Sequence, residues 1–446
     1  MTETNAYYEK MTKTPLTRLI VSLGIPTTIS MLVTNIYNMV DTYFVGTLGP
    51  SQQAATGILF TLQCIIQAVA FMLGQGSGTL VSKALADKDV DEASTYVSSA
   101  FIVGISLGII LLTLGVIFLE PLMMMLGSTE TILPYAKQYG ICVVLTCPIM
   151  IGSFVLNNNL RYEGQSFYAM IGLTIGGVIN IFGDYLLISI ISLGVLGAGI
   201  ATAVSQCISF TILLWFHFKM AQGNISFKYF SKDLKIYQAI CTVGFPSLIR
   251  QGLNSLSNGL LNNITRPFGD AAIAAMSVVN RFSAFVMCVG LGVGQGFQPV
   301  ASFNYQAKEY DRVKKGLLVT MGISIVFICI LAVPGMMFPE TVVRLFQKDQ
   351  EVIAIGRFAL RAACFGVIFM TLSVPVNMLY QSTRQPKIAS FLSILRNGLL
   401  FIPMLIISTN LFGLVGIQIS QPFADIVAGL ISIPFIISFL KKEKFD

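Results

Sequence analysis

Two aspartates, Asp41 and Asp184, stand inside long apolar stretches that hold no other charged residue nearby. Polar residues accompany them at helical spacing. Tyr37 precedes Asp41 by four residues, Asn180 precedes Asp184 by four, and Ala198, Thr202 and Gln206 repeat the same interval. Residues four apart share a helix face, so each set presents its groups to one side. A carboxyl in a low-dielectric setting is costly to leave charged and uncompensated, and two of them together readily hold one proton or one hard cation. Oxygens from Asn180, Asp184 and Thr202 beside Asp41 suit sodium as well as a proton relay, and ligand type does not choose between them.

The elements that carry these residues must lie in a membrane. The chain of 446 residues is 54% hydrophobic and 11% charged, with a mean hydropathy of +0.77, whereas a soluble chain carries about 25% charged residues. Apolar stretches of about 20 residues begin near Leu16, Ala54, Thr95, Thr131, Ser166, Val195, Ile236, Ala271, Lys314, Val352, Ile388 and Leu414, which predicts an all-α protein of twelve transmembrane helices. Pro26, Pro148, Pro246, Pro299, Pro375, Pro403 and Pro422 fall inside them and mark candidate kinks. The first fifteen residues are polar and the first apolar run is too long for a signal peptide, so the first span is expected to remain.

Lysine and arginine set the orientation. With the N-terminus inside, the inner loops and tails hold nineteen of them, Lys444 included, and the outer loops only Arg266, Arg344 and Lys348. Both termini are therefore expected in the cytoplasm, and the net charge of +7 reads as a topology signal, with no nucleic-acid partner. The eight cysteines fall in the apolar stretches without a CxxC pair and read as small core residues. His217 is expected at the inner membrane interface.

The chain repeats itself. At an offset of 220, "GIPTTISMLVTNIYNMVDTYFVG" from Gly24 falls on "GFPSLIRQGLNSLSNGLLNNITR" from Gly244, pairing Pro26 with Pro246 and Asn38 with Asn258. The "GQG" of residues 74–76 falls on that of residues 294–296, and "GVLGAGI" from Gly194 falls on "GLVGIQI" from Gly413 at an offset of 219. Two six-helix lobes follow, 16–219 and 236–440, joined by a charged linker, 220–235, and flanked by cytoplasmic tails, 1–15 and 441–446. An even number of spans separates the repeats, so they run in the same direction about an axis along the membrane normal.

With its opening motif, "LRYEG" after the fourth stretch, "INIFGDYLLI" in the fifth and "GAGIATAVSQ" in the sixth, the sequence resembles the multidrug and toxic compound extrusion (MATE) family, nearest its DinF-like bacterial branch. The resemblance covers essentially the whole chain. It implies a V-shaped cell-membrane antiporter that exports organic cations and other amphipathic compounds against protons or sodium, with an N-lobe cation pocket to which the matching Asp, Asn and Thr positions contribute. Flipping or export of a lipid-linked or metabolite substrate, as in the broader superfamily, is the alternative, and an excess of arginine facing the cleft would favour it.

The repeat also serves as an internal control, because positions needed only by the shared fold should recur. Asp41 falls on Leu261 and Asp184 on Met404, so neither acid recurs. An intramembrane carboxylate that the fold does not need is a candidate functional group. Met31, Met150 and Met170 could provide an adaptable substrate wall, with Asn157 and Gln206 as further cavity candidates. Asp425 is either a cavity residue or the partner of an intramembrane arginine such as Arg396. No GxxxxGK[ST] motif is present and the glycines around Gly74 read as helix-packing residues, so neither ATP-driven pumping nor enzymatic activity is expected. The expected partners are drug-like small molecules and lipids, the protein a monomer, with no cofactor beyond a coupling H+ or Na+, the latter on Asp41, Asn180, Asp184 and Thr202.

Overall fold

A computed structural model describes residues 3–346 and 349–442; Lys348 and Lys444, counted above among the loop charges, lie outside them. The described residues form helices joined by short turns. The first three spans are Leu16–Gly46, Pro50–Ala86 and Val90–Ile117. The fourth is a pair, Leu133–Leu145 and Cys147–Tyr162, bent by 50°, and Ser166–Ile190 and Gly194–Met220 complete the six. The second half repeats the order: Leu234–Thr265, Asp270–Gln306, Tyr310–Met337, the pair Gln350–Ile368 and Met370–Ser382 bent by 44°, Pro386–Phe412 and Leu414–Lys441.

Nine helices are long and apolar enough to cross a membrane, and the bent pairs raise this to eleven among the described residues. The remaining one, the seventh span, is too polar to qualify because Arg250, Gln251, Asn254, Asn258, Asn262 and Asn263 interrupt its apolar run. With its 32 residues it completes the twelve. On the third span Ile109, Ile110, Leu114 and Ile117 are exposed, as expected of a surface that meets hydrocarbon rather than water. The fourth span breaks at Thr146, where Pro148 opens the second piece without an N–H to donate. In the tenth span the break lies at Phe369, whereas Pro375 sits inside the second piece.

The chain divides into two compact units. One comprises residues up to Glu9 and Ile29–Leu248, the other Lys10–Thr28 and Ile249–Asp446. The division cuts the first span just after Pro26 and the seventh just after Pro246, the same place in both repeats. Glycines make room for these helix openings. In the first unit a Cβ on Gly76 would stand 2.1 Å from the Ile240 carbonyl oxygen, and one on Gly244 would stand 1.9 Å from that of Met72. In the second unit a Cβ on Gly296 would meet Gly24 Cα at 2.4 Å. The recurring "GQG" is therefore a backbone-contact motif.

Two further pairs show which side chains serve the shared fold. Asn157 donates to the Ala169 carbonyl at 3.0 Å, and its repeat partner Asn377 donates to that of Ala389 at 2.7 Å. Lys137 pairs with Glu120 at 2.8 Å, and Arg357 with Glu340 at 2.7 Å. Both pairs recur at the offset of 220. One sequence expectation is corrected. Cys207 is exposed on the sixth span, and Cys241 and Cys329 are only partly buried, so those three are not core residues. His217 is 1% exposed and lies against Gly223, because the chain after the sixth span folds back over it.

Candidate functional site

The first unit brings the two acids and their neighbours together from four spans. Asp41 sits near the end of the first span, Tyr139 in the first piece of the fourth, Asn180 and Asp184 in the fifth, and Thr202 in the sixth. Small residues let these helices approach. A Cβ on Gly177 of the fifth span would meet Val33 Cγ1 at 2.7 Å and Tyr37 at 3.1 Å, and one on Gly183 would meet Ala201 Cβ at 2.9 Å. Ala198 is fully buried in the first unit's core and contributes packing.

Tyr139 is the hub. Its hydroxyl donates to Asp41 Oδ2 at 2.9 Å and lies 3.3 Å from Thr202 Oγ1. Thr202 in turn accepts from Asn180 Nδ2 at 3.3 Å. Beyond this chain the site is starved of donors. Asp41 Oδ1, Asn180 Oδ1 and both carboxylate oxygens of Asp184 are buried with no hydrogen-bond partner among the described residues. An ion pair reaches Asp425 in a span of the second unit, and among the described residues no Lys or Arg pairs with Asp41 or Asp184. The acids are within electrostatic reach of each other.

Buried carboxylates ordinarily have a cation or several donors, because an unpaired buried charge costs several kcal/mol. Four orphaned oxygens of hard type fit a proton or a sodium ion, and Asp41, Asn180, Asp184 and Thr202 are the residues that would hold it. Just after Asp184 the helix loosens to π geometry over Tyr185–Ile190, a deformation frequent at functional sites.

The remaining candidates separate. Tyr37 is partly buried with Gln206 within hydrogen-bonding reach. Met31, Met170 and Gln206 are half-buried, which leaves them able to line a cavity, whereas Met150 is 1% exposed inside the core. Asn157 is not open to a cavity, since its amide is tied to the fifth span in the repeated bond described above. Asp425 belongs to the second unit, where Arg396 Nε donates to its Oδ1 at 2.5 Å and Gln421 Nε2 at 2.9 Å. A cavity of about 370 Å³ in the first unit is mostly apolar and bordered by Leu73, Ala100, Phe230 and Tyr237, with none of the acids on its wall.

Sequence reasoning missed Tyr139. Its repeat partner is Ala359, so the comparison that isolates Asp41 isolates it too, but a tyrosine in a span carries no charge to attract notice.

The MatE family model matches the chain twice, over residues 26–186 and 246–407. Curated relatives include the multidrug export protein MepA of Staphylococcus saprophyticus, 26% identical over 91% of this chain and 90% of that protein. MepA of Staphylococcus aureus is also 26% identical, over 95% and 93%. Among solved structures, an outward-facing multidrug resistance MATE transporter of the MOP superfamily superposes with a TM-score of 0.91 at 22% identity, over 97% of this chain and 98% of that one. A MATE protein in its straight conformation gives 0.91 at 22%, over 98% and 99%, and one in its bent conformation 0.89 at 22%, over 97% of both.

Proposed function

Since the chain belongs to the MatE family, we propose that it is a secondary active exporter of amphipathic organic compounds, organic cations among them, driven by a proton or sodium ion that enters through the buried acids of the first unit. One observation carries the coupling assignment: Asp41 and Asp184 are buried, lack a cationic partner among the described residues, and have no counterpart in the other half. The relatives named as multidrug export proteins support the substrate class.

The mechanism follows from exchange at one element. Export against a gradient requires that the ion and the substrate favour opposite states of the same conformational equilibrium. Asp41 lies on the helix that the unit boundary divides after Pro26, so a change in its charge acts on the helix that both units share. Tyr139 and Thr202 would pass the proton or help to ligate the sodium, and Asn180 would orient Thr202. The excess of Lys and Arg in one set of loops supports a cytoplasmic location for both termini.

Reconstitution tests this reading. In liposomes, efflux of ethidium should follow an imposed proton gradient or an imposed sodium gradient, and Asp41→Asn should abolish it. Efflux by the wild-type protein that ignores both gradients would refute ion-coupled export.

A further inference from the structure

The 370 Å³ cavity of the first unit takes no part in the acid site, and the linker between the two halves forms one of its walls. Leu73 of the second span, Ala100 and Val103 of the third, Lys232 of the linker, and Tyr237 and Cys241 at the start of the seventh span border it. Its size lies in the range of ligand cavities, about 300–1,000 Å³. Among the described residues that line it, Lys232 alone is charged.

Serines of the third span hold the linker in place. Ser98 donates to the Asn224 carbonyl at 2.9 Å, the Asn224 N–H donates to Ser94 at 2.9 Å, and the N–H groups of Ser226 and Ser231 donate to Ser98 and Ser99 at 3.1 and 3.2 Å. Tyr229 adds a bond to Asp91 Oδ1 at 3.0 Å, and the Tyr237 hydroxyl donates to the Ser231 carbonyl. The linker is thus a strap laid along residues 94–99, and the cavity opens just beyond it, at Ala100 and Val103. Ile109 and Ile110, farther along the same helix, are exposed to hydrocarbon.

The strap also carries the marks of a membrane surface. Phe227 is 84% exposed and Leu234 80% exposed, and bare apolar side chains beside a span sit where headgroups meet hydrocarbon. Lys228, Lys232 and Lys235 share this stretch with one acid, Asp233, whose Oδ1 accepts from the Lys235 N–H at 2.9 Å. Among the described residues none of the three lysines makes an ion pair. Lys228 lies over the Tyr229 ring, 5.4 Å from its centroid, whereas Lys232 stands on the cavity wall. A lysine can lay its apolar stem along such a wall and hold its ammonium at headgroup level.

We propose that this cavity seats an acyl chain of an anionic phospholipid from the adjoining leaflet, with the lipid phosphate on Lys232. Apolar wall and single cation match the two ends of that ligand, and basic residues beside a span attract anionic headgroups. Phe230 and Tyr237, with ring centroids 6.4 Å apart, would flank the chain. The lipid would brace the start of the seventh span and the strap against the third span. Such a site goes beyond ion-coupled export, because its ligand stays with the protein.

The test uses the purified full chain in dodecyl maltoside micelles, with native mass spectrometry counting bound dioleoyl phosphatidylglycerol or dioleoyl phosphatidylcholine. Wild-type protein should retain phosphatidylglycerol at a concentration about fivefold below that needed for phosphatidylcholine, the factor expected of one lysine near a phosphate. Lys232→Gln, at an exposed position, should abolish that preference. Val103→Phe, which fills the cavity, should weaken retention of both lipids, and melting temperatures should confirm that the variants are folded. If Val103→Phe does not fold, Lys232→Gln decides. Lys228→Gln removes a charge from the strap but not from the wall, so it should keep wild-type retention. Equal retention of the two lipids by wild-type protein, or an unchanged preference in Lys232→Gln, overturns the site. Equal loss in Lys228→Gln overturns it too, since a general attraction of the strap would then suffice. Displacement of the lipid by ethidium would make the cavity a substrate seat and refute the lipid assignment.

Discussion

Tyr139 holds Asp41 through a 2.9 Å hydrogen bond between residues 98 positions apart, and the carboxylate's other oxygen, Oδ1, is buried with no hydrogen-bond partner among the described residues. The acid is thereby aimed by one donor on one oxygen only. Asp41→Asn keeps size and the hydrogen-bond acceptor while removing the charge. Membrane levels and melting temperature should stay at wild-type values, while gradient-driven ethidium efflux falls to background. A purified, well-folded Asp41→Asn protein that still pumps would falsify the coupling role.

Tyr139→Phe leaves the charge and removes the aim. A hydrogen bond to a charged group contributes about 1.5–3 kcal/mol. If that energy positions Asp41 for ion exchange, the variant should keep its expression and lose on the order of tenfold in efflux rate, since about 1.4 kcal/mol corresponds to tenfold. Rates equal to wild type in the same liposomes would make Tyr139 a packing residue only.

Asp184 has no donor at all among the described residues, so its substitution should be stabilising for the fold and harmful to transport. Asp184→Asn is expected to raise the melting temperature and to stop ion-driven efflux. The counterpart Met404→Leu should leave both unchanged. A fall in melting temperature for Asp184→Asn would mean that the carboxylate has a structural partner.

Asn157 and Asn377 make the same bond in each half but differ in surroundings. Asn157→Ala should cost about 1 kcal/mol of stability with efflux per folded molecule intact. Asn377→Ala should lose more, because Arg250 also donates to its Oδ1 and would lose that acceptor. Equal melting temperatures of the two variants would break this distinction.

Glu163, in the turn after the fourth span, gives a pH prediction. Burial pushes its carboxyl up to about 7, and backbone N–H groups of Gln222 and Gly223, which donate to Oε2, offset only part of this. A folded value above the unfolded one means that the native state binds the proton more tightly, so the contribution is complete below about pH 4.5 and is lost as pH rises through about 7. Melting temperature should fall between pH 5 and pH 8, by an amount equivalent to at most ~3 kcal/mol, and Glu163→Gln should flatten that slope. An unchanged slope would place the titrating group elsewhere.

The sequence made the acids legible because charge in an apolar span is costly enough to stand out from a single residue, and the offset of 220 separated Asp41 from the recurring Gly24 and Pro26. Tyr139 was not legible, since its role depends on a contact across spans that no local spacing encodes. The pairing of Asp425 with Arg396 stayed open for the same reason: they lie on different helices, 29 residues apart. The seventh span illustrates the opposite case. Its residues fail the stricter hydropathy criterion, yet the apolar run from Ile236 marked it and the repeat of Gly24 and Pro26 at Gly244 and Pro246 supported it. Hydropathy measures average transfer cost, whereas the repeat preserves the backbone contacts made by glycine. The division of the first and seventh spans between units left no pattern, because periodicity tells which face of a helix is apolar and not which neighbour covers it.

That division bears on how such a chain could have arisen by duplication. Each unit draws its opening helical stretch from the opposite half of the polypeptide, residues 10–28 in one case and the segment before 249 in the other. A half-length ancestor could have completed this architecture only by lending its leading segment to a second copy, as a swapped homodimer. Gene fusion then turns a concentration-dependent exchange between molecules into a covalent certainty, and frees the two copies to diverge, one holding Asp41 and Asp184 where the other has Leu261 and Met404.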